Sequence, residues 1–331
     1  MIRTYIVVII LITLTFFVFA EAQSGSGKGR IQALYDRYEK ESFEKGWQKI
    51  TVNINDLPRK VLWKGPKQSW KYGAIIALHG GGGTYSNFSA NIRIGKPMVN
   101  FSDLAISEGF AVFSPDSTDG LVTGVKGYSA GKRWDSLARD DRPNVDLPFI
   151  EAVITDIIPK LRPANSARDI FITGISNGGF MTILAATHFA DKISAFAPVS
   201  AGDPYGTYMD MSKHRRLRPN APGEFIDIET NKSITEKDAV VGETYSRERK
   251  WPATCGAEKL SFKQFHHQGD GACDISVMKK ARRQLVKHGY KDDGAFILKH
   301  TGRRRILHHF WREEYNRPLL EFFKRYANRR R

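Results

Sequence analysis

Asp169-Ile170-Phe171-Ile172-Thr173-Gly174-Ile175-Ser176-Asn177-Gly178-Gly179-Phe180-Met181 is the stretch whose reading decides how this chain folds. Asp169 to Thr173 reads as a short buried strand, and Asn177 to Phe189 as a helix. Between them stands a G-x-S-x-G, Gly174 to Gly178. In a strand–turn–helix setting the small residues let strand and helix approach closely around a sharp turn. That turn holds the serine in a strained position with its hydroxyl exposed. The start of the helix then offers unpaired N–H groups and a positive dipole end to negative charge developing nearby. The alternative is a tight turn without chemistry.

Working outward, Lys49 to Lys67 alternates weakly and suggests a hairpin, and Gly73 to Leu78 is a buried run ending at His79-Gly80. Phe110 to Phe113 is another, ending at Ser114-Pro115-Asp116. From Leu147 to Leu161 the spacing of Phe149, Ile150, Val153, Ile157 and Leu161 is that of one helical face. Ile193 to Val199, Leu260 to Phe265 and Gly294 to Leu298 read as strands, and Ser276 to His288 as an amphipathic helix. Pro318 to Tyr326 closes the chain as a helix, with Asn316 placed to cap it. Strands alternating with helices imply an α/β domain, a mostly parallel sheet covered by helices on both faces. The chain's 331 residues suffice for one such domain over 23–331. Gly202 to Pro252 breaks the pattern, being rich in charge, Pro and Gly between two strands. An insertion that long is usually functional, so 203–252 is expected to form a cap or lid.

His79-Gly80-Gly81-Gly82-Gly83 follows an earlier strand, where an HGGG-type loop supplies a second oxyanion donor. The expected donors are the backbone N–H groups of Gly81 and Asn177. The loop lacks the G-K-[ST] ending of a phosphate-binding loop. Elbow, glycine loop and element order together predict the α/β-hydrolase fold with a cap insertion. A serine nucleophile needs a base, and the base an orienting acid, in chain order Ser, Asp/Glu, His. Asp270 stands just past the Leu260 to Phe265 strand, where the acid belongs; Asp274 is the alternative, and the one not used is free to cap the helix near Ser276. The base belongs between the last strand and the last helix, where His308 and His309 both qualify, with His300 close to the strand end. His266 and His267 read as packing residues or as supports behind the catalytic side chains. There is no H-E-x-x-H, and neither a metal nor a cofactor is expected.

Met1-Ile2-Arg3, the apolar run Ile6 to Ala20, and small residues at Ala20 and Ala22 follow the order of a secretory signal peptide over 1–22. The run is ~15 residues, short of the ~20 that a spanning helix needs, so no membrane association is expected after cleavage. Gln23 to Arg30 reads as a flexible leader. The expected location is secreted or periplasmic. In such a compartment the chain's 2 cysteines, Cys255 and Cys273, read as one disulfide; two buried thiols are the alternative. The formal net charge of +16 is spread over several segments, without zinc-finger spacing, RRM signature or helix-turn-helix. It suits a solvated basic surface or an anionic substrate better than nucleic acid.

Gly174-Ile175-Ser176-Asn177-Gly178-Gly179-Phe180-Met181 resembles the G-x-S-N-G-G-M motif of secreted polyhydroxybutyrate depolymerase-like and feruloyl esterase-like hydrolases. Lys132-Arg133-Trp134, and Asn144-Val145-Asp146-Leu147-Pro148-Phe149-Ile150, resemble that family's tryptophan segment and D-D-V-G-F-I helix start. His266 to Asp270 resembles its H-G-x-x-D, with His267 where glycine is usual. At the base the family has G-G-H-T-W-P, and this chain has Leu307-His308-His309-Phe310-Trp311. His309-Phe310-Trp311 fits that H-x-W. His308, Trp311, Tyr315 and Pro318 fit more positions of an H-x-x-W-x-x-x-Y-x-x-P ending of related esterases, which makes His308 the expected base. The resemblance implies hydrolysis of an aryl, acetyl or hydroxyacyl ester, polymeric substrates included, through an acyl-enzyme on Ser176 with His308 and Asp270. A peptidase of the prolyl-oligopeptidase type and a non-catalytic binding protein on the same fold are the rival readings.

Overall fold

The weak alternation near the start becomes an antiparallel hairpin of β1 (Gln48–Ile54) and β2 (Leu57–Lys64). Its two-residue turn is Asn55-Asp56, both at positive φ, 49° and 61°, which Asn and Asp tolerate best among residues with a side chain. The computed structural model describes residues 27–92, 95–121, 131–138, 143–207, 217–221, 224–227, 232–235, 247–248, 251, 260–302 and 305–327. The expected signal peptide and Cys255 lie outside the described residues.

β3 (Gly73–Leu78) and β4 (Phe110–Pro115) are parallel neighbours, and β2 joins β4 antiparallel. A small antiparallel pair, β5 (Thr118–Leu121) and β6 (Gly131–Arg133), follows β4. β7 (Ile170–Ile175) and β8 (Ala195–Val199) add in parallel on the other side of β3. In the 203–252 region β9 (Gly206–Thr207) pairs with β13 (Arg247–Glu248), and β10 (Leu217–Ala221), β11 (Glu224–Asp227) and β12 (Ser233–Thr235) form a three-stranded antiparallel sheet. β14 (Ser261–His267) and β15 (Lys291–Leu298) complete an eight-stranded sheet in the order β1-β2-β4-β3-β7-β8-β14-β15. The chain runs from β3 to β4 on one side and returns to β7 on the other. The loops after β3 and β7 therefore diverge and leave a crevice at the strands' C-terminal ends, where ligands bind in open α/β sheets.

Among the described residues the α-helices are α1 (Gly27–Glu44), α2 (Lys96–Glu108), α3 (Leu147–Ala152), α4 (Asn177–His188), α5 (Ile275–Lys287) and α6 (Glu313–Tyr326). α3 continues through a π turn, Val153–Ile157, into a last helical turn, Ile158–Leu161. The π turn falls just before Pro159, which has no N–H to give back to the helix. β3 is buried on both sides: Ala74, Ile76 and Leu78 join the core under α3, α4 and α5, while Ile75 and Ala77 join the core under α2 and α6. That two-sided burial is why the parallel strands read as unbroken apolar runs.

Two expectations change. α1 begins at Gly27, inside the stretch read as a flexible leader, and is tied down by Ser42 Oγ to Ser89 Oγ at 2.7 Å and by Glu39 to Tyr85 and Lys49. Asn316 does not cap α6, which starts three residues earlier. Buried in its first turn, Asn316 accepts from Trp311 Nε1 at 2.7 Å and donates to the Pro97 carbonyl at 3.0 Å, fastening α6 to the start of α2. Within 203–252, β10 lies against β5, beyond the C-terminal end of β4.

The segment before α3 is anchored by charge. Asp146 accepts from Arg59 Nη2 at 2.6 Å and from the Asp135 N–H at 2.6 Å, and both members of the ion pair are buried. Asn144 Oδ1 takes the N–H groups of Asp146 and Leu147, both at 2.9 Å, and so caps the helix. Removing one partner of a buried pair strands the other charge. Asp146→Ala is expected to cost about 3–5 kcal/mol in a urea unfolding series, and a loss below 1 kcal/mol would show the pair to be ornamental.

Candidate active site

Ser176 stands at the junction of β7 and α4 with φ 55° and ψ −120°, a backbone conformation that is strained for a residue with a side chain. Close packing imposes it. A β-carbon on Gly178 would lie 2.3 Å from the His79 carbonyl oxygen, and one on Gly174 2.5 Å from the Gly178 oxygen. Only glycines let β7, α4 and the end of β3 meet this closely. The Ser176 N–H donates to the Val199 carbonyl at 3.0 Å, and its hydroxyl is not used to cap α4. The serine is half-buried.

The glycine loop abuts it: a β-carbon on Gly80 would sit 3.7 Å from Ser176 Cβ. His79 fixes the loop's entry. Its Nδ1 donates to the Gly80 carbonyl at 2.7 Å, and its Nε2 accepts from the Ser117 N–H at 3.2 Å. The Gly82 and Gly83 N–H groups donate to the carbonyls of Lys132 and Gly80, whereas that of Gly81 has no acceptor among the described residues. Gly81 is exposed, so its N–H is available to a substrate oxygen. Asn177 lies in the first turn of α4, where backbone N–H groups have no helical acceptor. The two expected donors, Gly81 and Asn177, thus carry backbone N–H groups without an acceptor among the described residues.

Sequence reasoning assigned the Asn177 side chain no task, yet it grips the tryptophan segment. Oδ1 accepts from the Trp134 N–H at 2.7 Å, and Nδ2 donates to the Trp134 carbonyl at 3.1 Å and to Ser136 Oγ at 2.6 Å. Trp134 Nε1 in turn donates to the His79 carbonyl at 2.9 Å. One residue earlier, the Arg133 guanidinium lies over Gly81, with Nη2 3.2 Å from where a β-carbon there would be. Lys132 pairs with Asp116 at 2.5 Å. Burial pushes the Asp116 carboxyl up, but the Lys132 ammonium and the His79 ring outweigh it and hold Asp116 below the ordinary range.

Asp270 follows β14 and is almost fully buried. Its Oδ1 accepts from the N–H groups of Ala272 and Cys273, both at 2.8 Å. The expected base, His308, does not reach it; His309 does, with Nδ1 2.8 Å from Asp270 Oδ2 and 3.1 Å from Oδ1. The cause is the 3-10 turn Ile306–His309, in which successive side chains point about a third of a turn apart. His308 is turned the other way. It donates from Nδ1 to the Gly269 carbonyl at 3.1 Å and stacks on His267 with ring centroids 4.2 Å apart. The two loops are joined by main-chain bonds, Arg305 N–H to Gly269 O at 3.0 Å and Gly271 N–H to Arg305 O at 3.1 Å.

With Nδ1 committed to Asp270, His309 presents Nε2 as its lone-pair nitrogen. That atom is buried and has no partner among the described residues. Burial works to raise the Asp270 carboxyl, but the His309 hydrogen bond and charge, the Cys273 N–H and the His266 charge together hold it below its usual range. Asp274, the alternative acid, caps α5 through the Ser276 N–H at 2.7 Å. His266 is fully buried and bonds to the Cys273 carbonyl at 2.9 Å, a packing role as expected. Cys273 is a buried free thiol whose pKa is driven well up by burial and the Asp270 charge. Its expected partner, Cys255, lies outside the described residues.

No protein-family model matches the chain, and no curated protein matches it in sequence. Its fold has clear relatives. A thermostable esterase superposes with a TM-score of 0.52 at 14% identity, covering 85% of this chain and 63% of that one. The acylaminoacyl peptidase of Pyrococcus horikoshii gives 0.50 at 18% identity, over 85% of this chain and 41% of that one. Est1E of Butyrivibrio proteoclasticus gives 0.47 at 17% identity, over 84% and 96% of the two chains. The chain thus spans under two thirds of the length of the first two. It has the α/β-hydrolase fold that its element order predicts.

Proposed function

We propose that this chain is a serine hydrolase of carboxylic esters, with Ser176 as nucleophile, His309 as general base and Asp270 as the acid that orients it. The observation that carries the reading is the Asp270–His309 pair, placed on the same sheet edge as a serine held at φ 55°. Ser176 attacks the ester carbonyl and His309 Nε2 takes its proton. The oxyanion is met by the N–H groups of Gly81 and Asn177. His309 returns the proton to the leaving alcohol, and water then releases the acid from the acyl-serine by the same steps. The Arg133 charge beside Gly81 supports the developing negative charge from outside the donor pair.

The esterase among the fold's relatives agrees with this reading. The sequence motifs narrow it to aryl, acetyl or hydroxyacyl esters of the polyhydroxybutyrate depolymerase-like and feruloyl esterase-like kind. The net charge of +16 favours an acidic substrate or matrix. The 203–252 cap, whose β10 lies against β5, is the element we assign to substrate choice. The first 22 residues lead us to place the mature protein outside the cytoplasm. The acylaminoacyl peptidase relative raises amide cleavage as a second reading. Side-by-side assays on p-nitrophenyl butyrate and N-acetyl-alanine p-nitroanilide separate the two. Hydrolysis of the ester with little or none of the anilide is expected, and the reverse preference would make the chain a peptidase.

A further inference from the structure

Three imidazoles left over from the proposed triad come together behind it. His267 ends β14, His300 follows β15, and His308 lies in the turn before His309. One ring nitrogen from each lies within 4.8 Å of the others. The ring centroids are 4.2 Å apart for His267 and His308, 4.4 Å for His300 and His308, and 5.4 Å for His267 and His300.

Gly269 makes the cluster possible. A β-carbon there would lie 2.4 Å from His300 Cδ2 and 2.8 Å from His308 Nδ1, so the rings close over a bare backbone. The same residue orients two of them. Its carbonyl accepts from His308 Nδ1 at 3.1 Å, which leaves His308 Nε2 as a lone-pair nitrogen. Its N–H donates to His267 Nδ1 at 3.0 Å. A backbone carbonyl on the far nitrogen is the usual device for holding a ligating imidazole in one tautomer.

We propose that His267, His300 and His308 form a three-histidine site for a divalent transition metal, with zinc as the reference ion. Three nitrogen donors without a carboxylate suit zinc, cobalt, nickel or copper, and not calcium or magnesium. Bonds of ~2.1 Å at tetrahedral angles bring donor nitrogens to ~3.4 Å from one another, so the rings draw inward on loading. Whichever nitrogen of His267 turns to the ion, the Gly269 N–H gives up its acceptor. Arg312 opposes a cation at His267 more than Asp270 favours one, so binding rests on ligation and not on long-range attraction.

The site would act as a clamp. Gly269 directly precedes Asp270, and His308 directly precedes His309. An ion held by all three histidines ties the loop of the proposed acid to the loop of the proposed base. The ester chemistry runs through Ser176, His309 and Asp270 and takes no step through this ion, so the site stands or falls apart from that reading.

The test is isothermal titration of zinc chloride into untagged, chelator-stripped protein, with cobalt absorption as a second readout. One ion per chain is expected, with a rise in the thermal unfolding midpoint on loading. His300→Ala and His308→Ala, each checked for folding by circular dichroism, should weaken binding about tenfold or more. His309→Ala should bind as the parent does. Absence of uptake by the parent protein would overturn the site, as would uptake unchanged in both His300→Ala and His308→Ala.

Discussion

Ser176→Ala is expected to lower kcat for p-nitrophenyl butyrate by roughly 10⁵–10⁶-fold, the loss that follows removal of a nucleophile from an assembled triad. What survives is the contribution of the glycine loop and binding alone. The fold should barely notice. The hydroxyl caps nothing, and alanine inherits the same backbone strain at φ 55°. A change within about 0.5 kcal/mol in urea unfolding is therefore expected, as for substitutions that break no packed or bonded feature. Retention of more than a tenth of the parental kcat by a folded Ser176→Ala would remove this residue from the chemistry.

The adjacent histidines give the second large effect. His309→Ala should lose nearly as much activity as Ser176→Ala, because members of a triad act as a unit. Asp270 would keep its two backbone donors from Ala272 and Cys273, so the acid loop stays formed while the base is gone. His308→Ala removes a ring bonded to the Gly269 carbonyl and stacked on His267, and should change kcat by less than about tenfold. Steady-state kinetics on the pair decide it. A larger loss from His308→Ala would return the base to the residue that the H-x-x-W ending favours.

The elbow, the glycine loop and the placement of Asp270 were legible because each rests on local chemistry. Glycines at Gly174 and Gly178 announce a backbone crossing that admits no β-carbon, and Asp270 sits at a fixed distance past a recognisable strand. Asp274 also behaved as its position suggested, capping α5. Which histidine meets Asp270 was not legible. His308 and His309 differ by one step of a 3-10 turn, and which of them faces Asp270 depends on how the 306–309 turn docks on the acid loop. Pattern matching to Trp311 and Tyr315 favoured the neighbour that does not reach Asp270, because those two residues serve packing: Trp311 lies against Phe88 and Phe101, and Tyr315 against Phe265.

Other losses have similar causes. α1 has few apolar residues, and what fastens it, Ser42 to Ser89 and Glu39 to Tyr85 and Lys49, is polar and distant in sequence. α2 did carry signals, Pro97 in its first turn and Gly109 at φ 104° just past its end, the pairing expected of helix termini. Asn316 looked like a cap because it precedes Pro318. The helix starts earlier because Asn316 is satisfied from outside, by Trp311 and Pro97. The role of the Asn177 side chain depends on the approach of β6 and Trp134, contacts that no local pattern encodes.

The most direct test of the Ser176–His309–Asp270 assignment is covalent. The untagged protein is treated with a fluorophosphonate, digested with trypsin and mapped by mass spectrometry. One adduct is expected, on Ser176 in the fragment Asp169 to Lys192, formed rapidly by the parent and far more slowly by His309→Ala, with His308→Ala labelled at the parental rate. An adduct on another residue, or folded and ester-hydrolysing protein that takes up no label at Ser176, would contradict it.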